Sequence, residues 1–282
     1  MQFLNITCAS ALVAGTFACF NAAANELPGA EMPIGGGAVR TYAVVGTDGA
    51  PTEIGVSFSK HALDGLPADR NNTNRCFDLD GSGVIDTGEC DGDYDYVLPL
   101  PAELASRSDI PFDWAMVNWN PMGHPPQPWS VPHFDVHFYQ ISPDAVDAMR
   151  TGPCGIFMNC DDFQRAIKPV PAKYINPDHV SVEAAVARMG DHLIDSLTPE
   201  LGTPPQPFTH TFIFGAYDGH VIFHEVMVTR SFLEMGTDGC ADIKKPQAWE
   251  TAGYYPTRYC FRHEADGAVK IFMKDFVMRE AG

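Results

Sequence analysis

The stretch Asp78–Glu89, DLDGSGVIDTGE, holds the most specific chemistry in the chain. A calcium loop of the EF-hand type places oxygen ligands at loop positions 1, 3, 5, 7, 9 and 12, with glycine at 6. Here those positions carry Asp78, Asp80, Ser82, Val84 through its carbonyl, Asp86 and Glu89, with Gly83 at the turn and Ile85 at the usual apolar anchor. A hard cation takes many oxygens, and a bidentate Glu89 would close the shell. The plainer alternative is an acidic, glycine-rich surface turn. The filling of every constrained position in register favours calcium. The flanks, Asn71–Arg75 and Cys90–Tyr96, are poor helix formers, and there is one such loop, so a structural calcium site is expected rather than a sensor. Cys76 and Cys90 bracket the loop, where a disulfide would constrain it before metal arrives.

A second constellation is the alternating run His133-Phe134-Asp135-Val136-His137-Phe138-Tyr139. Residues two apart share one face of a strand, so His133, Asp135, His137 and Tyr139 point one way and the apolar residues point into a core. Imidazoles and carboxylates are the usual ligands of Zn, Mn, Fe or Cu. At roughly 3.3 Å per residue, His133 and His137 stand about 13 Å apart, too far for one ion without a bulge. The expected unit is therefore two neighbours from this row plus ligands from elsewhere: Glu225, His192 or His124. His224 and Glu225 face opposite ways, so at most one joins the site. A two-residue turn at Asp218-Gly219 would place Glu225 opposite Phe212 and His224 opposite Ile213. The alternative is a solvated face with a few satisfied core histidines. His61, His179 and His263 read as surface residues.

No GxSxG elbow, phosphate loop or HExxH helix occurs. The formal net charge of −18 argues against nucleic acid and anionic membranes and for cation uptake. Residues 1–24 contain no charged side chain and end in Asn21-Ala22-Ala23-Ala24, which reads as a signal peptide. No other run is long and apolar enough to cross a bilayer, so no membrane partner is expected after cleavage. The protein is expected to be secreted or periplasmic. Beyond the leader, Cys76, Cys90, Cys154, Cys160, Cys240 and Cys260 remain. Six cysteines allow fifteen pairings, of which neighbour pairing is the most economical.

These side chains need a frame, and the pattern predicts a mainly β (α+β) fold. An antiparallel sheet or barrel-like core is expected, with a few short helices and the EF-hand-type loop as an insertion. Strands are expected over 39–45, 53–59, 112–118, 132–139, 208–214, 220–229 and 269–278. Residues 25–38, rich in Pro and Gly, are expected to be a flexible segment before a single domain over 39–282, with the calcium insert at 76–90. Short helices are expected at 143–150, capped by Ser142, and at 161–167. The stretch 181–196 has helix-friendly composition, broken at Gly190.

Met122-Gly123-His124-Pro125 and the run Pro132–Tyr139 resemble the hallmark of the TTHB210-like (DUF5602) family. Met189-Gly190-Asp191-His192, Thr211–Gly215 and Glu225–Thr229 are similar to its later blocks, so the resemblance spans roughly Arg40 to Met235. The calcium-type insert resembles one in some exported members. This chain has Glu225-Val226 where the family has Glu-Pro, which puts the local strand geometry in question. The resemblance implies an exported, oligomeric domain and names no activity.

Three readings follow. The first is an exported calcium-binding protein with a second metal site drawn from His124, His133, Asp135, His137, His192 and Glu225. The second is a cupin-like metal-dependent enzyme using that pocket. The third is a non-catalytic structural homo-oligomer.

Overall fold

The computed structural model describes residues 25–282; the signal peptide expected over residues 1–24, with Cys8 and Cys19, lies outside the described residues. Strands β1 (Asn25–Ile34), β2 (Gly37–Val45) and β3 (Pro51–Phe58) open the chain as a meander. β4 (Asn71–Cys76) and β5 (Cys90–Gly92) form a separate two-stranded ladder that carries the acidic loop. β6 (Tyr94–Pro99), α1 (Ala102–Ala105), β7 (Trp114–Asn120) and β8 (His133–Tyr139) follow, then α2 (Pro143–Asp147), β9 (Thr151–Cys154) and α3 (Cys160–Ala166). β10 (His179–Val186), β11 (Gly190–Asp195), β12 (His210–Tyr217) and β13 (His220–Thr229) complete a second meander. The chain ends through α4 (Arg230–Glu234), β14 (Gly239–Asp242), β15 (Gly253–Tyr255), β16 (Arg258–His263), β17 (Val269–Lys274) and β18 (Val277–Arg279).

Two open antiparallel sheets result, ordered β1-β2-β3-β17-β16-β14 and β10-β11-β12-β13-β8-β7-β6. They pack face to face over one core. Val56, Phe58 and Ile271 of the first sheet meet Phe134, Val136, Phe138, Phe214 and Val226 of the second. The Phe58 and Phe134 rings, with centroids 5.1 Å apart, mark the join. The alternation of residues 133–139 is thus the cause of the arrangement. Its phenylalanines and valine hold the sheets together, and its polar row is left on the outer face of the seven-stranded sheet.

That outer face is not solvated. α2, β9, α3 and the turn after β10 cover one end of it, burying Val146, Met158, Ala166 and Met189. The loop between β7 and β8 covers the other end with Trp129, which packs with Phe208, Ile213 and Met227. Ser142 caps α2 as expected, its side chain accepting from the Ala145 N–H.

Two expectations are corrected. Residues 25–38 do not form a loose segment: β1 pairs with β2 from Asn25↔Val45 to Ile34↔Gly37, with a bulge between Pro28 and Glu31. β1 is an edge strand, where proline need not donate to the ladder. Residues 181–196 are not helical but form β10 and β11. Pairing of β11 with β12 outweighs a modest helical propensity, and Gly190, at φ +79°, follows the turn between them.

The cysteines pair with their neighbours, 76–90, 154–160 and 240–260. Cys154–Cys160 ties the end of β9 to the start of α3, Cys240–Cys260 joins the paired strands β14 and β16, and Cys76–Cys90 closes the base of the acidic loop.

Candidate metal centre

The polar row of β8 divides into two clusters. His137 joins His192 from β11 and Glu225 from β13, and the three ligand-type atoms lie within 4.8 Å of one another. His133 and Asp135 are joined in the same way by His124 from the β7–β8 loop. The strand spacing explains the split, because one ion cannot bridge His133 and His137. His124 and Asp135 of one cluster and His192 and Glu225 of the other line a single narrow cavity of about 70 Å³, whose walls also include Trp129, Val186, Met189 and Ile213.

Glu225 reaches the cavity because the β12–β13 hairpin is irregular. Tyr217↔His220 and Ala216↔Val221 are in the expected register, but a bulge follows and Gly215 pairs with Phe223. Glu225 therefore lies opposite Ile213, and His224 opposite Phe214, one residue away from the simple two-residue-turn register. A one-residue shift exchanges faces in a sheet. Across the other edge of β13, Glu225 is paired with His137 itself. A side chain on Gly215 would strike the Phe223 ring at 2.1 Å. This glycine leaves room for that ring, which stands edge-on to the His137 ring with centroids 4.6 Å apart.

The hydrogen bonds around the rings define their exposed nitrogens. Nδ1 of His192 lies 2.9 Å from the Ala184 carbonyl, Nδ1 of His133 2.7 Å from that of Val131, and Nδ1 of His124 2.8 Å from that of Pro125. A carbonyl only accepts, so each Nδ1 donates, and the neutral ring presents a bare Nε2. Carbonyl support of this kind is the usual outer shell of a metal-binding histidine. Asp135 is oriented by Asn120, whose Nδ2 donates to its Oδ2 at 2.8 Å.

The close contacts between ligand atoms are not aligned hydrogen bonds. His137 Nε2 and Glu225 Oε2 are 3.2 Å apart, and His133 Nε2 and Asp135 Oδ1 are 3.3 Å apart. Yet all four atoms are buried without a hydrogen-bond partner among the described residues. Buried orphans of this kind are costly, and lone pairs that converge on a shared point instead of on each other are the geometry of co-ligands. Burial disfavours charge on His137, but Glu225 outweighs it and raises the imidazole pKa. Burial likewise opposes charge on His124, and the adjoining Asp135 raises it to about 9. Burial pulls Asp135 upward, yet His133 and His124 hold it well below the usual carboxylate range.

The acidic loop is joined to this cavity through its own stem. Asp91 and Asp93, on and just after β5, line the cavity wall. Arg75, beside Cys76 on β4, is buried and pairs with Asp91, Asp93 and Asp95 together. Burial raises Asp93 well above the carboxylate range even with Arg75 beside it, and Asp91, Asp95 and Asp135 add to the rise. Sequence reasoning missed Arg75 and these aspartates. The signal was present as carboxylates at every second position after Cys90, which places Asp91, Asp93 and Asp95 on one face of an extended chain.

No known family model, curated protein or solved structure matches the chain.

In the acidic loop, Asp78, Asp80 and Glu89 bring carboxylate oxygens within 4.8 Å of one another, and Asp86 stands outside that group. Position 9 of such loops commonly acts through a water. Asp78 accepts from the Ser82 and Gly83 N–H groups at 3.1 and 2.7 Å. Glu89 accepts from Leu79 and Asp86 at 2.7 and 2.9 Å. Ser82 Oγ donates to the Val84 carbonyl at 3.0 Å. The loop is curled by its own prospective ligands. Ile85, the expected anchor, is 42% exposed, since no second loop packs on it.

Among the remaining histidines, His61 is at the surface and His263 is half-buried, but His179 is buried in contact with Phe214, contrary to expectation. His224 points away from the cavity, as its alternation with Glu225 requires, into a nest of rings that includes Phe112, Phe212 and Phe214. Burial there, with a smaller contribution from His179, pushes its pKa down from 6.5 to about 3. The unfolded chain then binds the extra proton between those values. This share of stability is complete above about pH 6.5 and is lost as pH falls towards 3. Between pH 7 and 4.5 the native protein should lose roughly 2 to 3 kcal/mol more stability than His224→Phe. Urea unfolding at the two pH values measures this difference, and parallel losses would show that the ring is already solvated.

Proposed function

We propose that this chain is an exported metal-binding protein that holds a transition-metal ion in the His137–His192–Glu225 cluster. The His124–His133–Asp135 cluster forms a second position in the same cavity, and calcium occupies the Asp78–Glu89 loop as a structural ion. The observation that carries the reading is the pair of buried, mutually misaligned atoms His137 Nε2 and Glu225 Oε2, 3.2 Å apart with no other partner among the described residues. Two imidazoles and a carboxylate suit zinc or iron(II), and manganese or copper less well. Asp91, Asp93, Asp135 and Glu225 face the cavity with one buried guanidinium, that of Arg75, beside them, so added positive charge fits the electrostatics. Three pairs of bonded cysteines support an oxidising, secreted or periplasmic setting. No helix among the described residues is long and apolar enough to cross a membrane. Membership of the TTHB210-like family belongs to the same proposal, supported by the motif residues that lie in the two clusters.

A second reading, a metal-dependent enzyme, is favoured by one feature. Each cluster offers three protein ligands, the number that leaves a position open for water or substrate in catalytic sites.

Elemental analysis of protein purified from its host without added metal tests the main reading. At least one equivalent of zinc or iron per chain is expected, alongside calcium; calcium alone would reject the cavity assignment. For the loop, Glu89→Gln removes the bidentate ligand, and calorimetry should show calcium affinity falling by about tenfold or more. Unchanged affinity would reject the loop.

A further inference from the structure

On the other side of β13 from the metal cavity lies a pocket of about 260 Å³. It opens beside the ends of the two sheets, under the segment that joins β14 to β15, and its walls include Phe214, Ile243, Trp249, Tyr255 and Tyr174. His224 forms part of this wall. Its ring stands edge-on to Phe214 at 4.8 Å between centroids, with Tyr255 at 6.2 Å. Nδ1 of His224 is sealed from solvent and has no hydrogen-bond partner among the described residues. The Tyr255 hydroxyl is already committed to the Thr251 carbonyl at 3.1 Å. Charged groups stand at the mouth: exposed His220 pairs with Glu250 at 2.7 Å, and Lys245 is exposed.

An orphaned buried N–H is rarer than an orphaned acceptor. The sealed Nδ1 therefore carries the bare lone pair, and the ring proton sits on Nε2, where it is available as a donor. The imidazole stands among the rings of Phe112, Phe212, Phe214 and Tyr255, so what it offers the pocket is a hydrogen bond. Lys245 stands exposed at the mouth and, among the described residues, no cation lies over the rings of Phe214 and Tyr255 beside His224, where an unpaired charge is costly. A volume near 260 Å³ is just under the usual range of ligand clefts and suits one or two rings.

We propose that this pocket binds a small, uncharged, planar ring compound, with a carbonyl-type oxygen accepting a hydrogen bond from His224 Nε2. The rings of Phe214, Tyr255 and Trp249 supply the apolar contacts. The site is separate from the metal clusters, because adjacent residues of β13 serve opposite faces: Glu225 one cavity and His224 the other.

Coumarin, two fused rings with a lactone carbonyl and no donor, is a direct probe, and naphthalene is its counterpart without an acceptor. The full secreted-form chain is titrated with each by calorimetry, and nitrogen-15 spectra of the histidine rings are followed. Coumarin should bind at least about tenfold more tightly than naphthalene, and the His224 ring should report a proton on Nε2 whose resonance moves on binding. In His224→Phe the two probes should bind alike. Equal binding by the unaltered protein, binding of neither, or a His224 ring protonated on Nδ1 would each overturn the proposal. The comparison within the unaltered protein holds even if the variant fails to fold.

Discussion

Glu225→Gln is expected to lower the affinity of the cavity for zinc or iron by about 100-fold or more, with calcium binding by the loop unchanged. Glutamine keeps the shape but loses the charge and one of the two equivalent oxygens, while His137 and His192 remain in place. Removing an outer-shell partner alone typically costs 10- to 100-fold, so loss of a direct anionic ligand sets a higher floor. Competition against a chromogenic chelator measures it. The metal-free fold should survive, because His137, once freed of Glu225, can give up its proton and leave no unpaired charge buried. The pH dependence carries a sign. In the metal-free protein Glu225 raises the pKa of His137 against the effect of burial, so an incoming ion must displace that proton. Metal affinity should therefore rise with pH through the raised value. In Glu225→Gln the rise should move to lower pH. A variant that retains metal at the affinity of the unaltered protein would falsify the assignment of Glu225 as a ligand.

The second large effect concerns Arg75. Arg75→Met is expected to cost about 3 to 5 kcal/mol, because it leaves Asp91, Asp93 and Asp95 in a buried place without their cation. Asn74 and Asn118 also donate to Asp93, at 3.1 and 2.9 Å, but they bring no charge. Adding Asp93→Asn to Arg75→Met should restore part of the loss. Burial raises Asp93 above its usual range even beside Arg75, whereas Arg75 holds Asp95 below it against burial, so Asp93 is the better place to remove a charge. Chemical unfolding with the disulfides intact measures both steps. A loss below about 1 kcal/mol for Arg75→Met would place the trio in the class of solvated surface pairs. The same substitution reaches function, since Asp91 and Asp93 wall the metal cavity and Cys76, next to Arg75, anchors the acidic loop. The loop and the cavity share one stem.

Several parts of this arrangement follow from local chemistry alone. The twelve residues 78–89 carry their oxygen donors and glycine at fixed offsets, and a loop that curls on its own backbone needs no distant partner to be recognised. The alternation of residues 133–139 separates core from site because side chains on a strand change face at every residue. Neighbour pairing of the cysteines follows from short loop closure. The antiparallel architecture was legible in the short alternating runs and the turns between them.

Tertiary structure decided the remainder. Whether the polar row met water or a covered cavity depended on α2, α3 and the β7–β8 loop folding over the sheet, which the row itself does not encode. The division of six candidate ligands into two clusters depended on which strands came to lie beside β8. Glu225 faces the site through a bulge that no turn rule required, and His192 arrives on a strand whose composition favoured a helix. Register and bulges are set by pairing between residues far apart in the chain, so a local pattern names the donors but not their company. Asp91, Asp93 and Arg75 became part of the site for the same reason: only the folded stem carries a surface insertion down to the cavity wall.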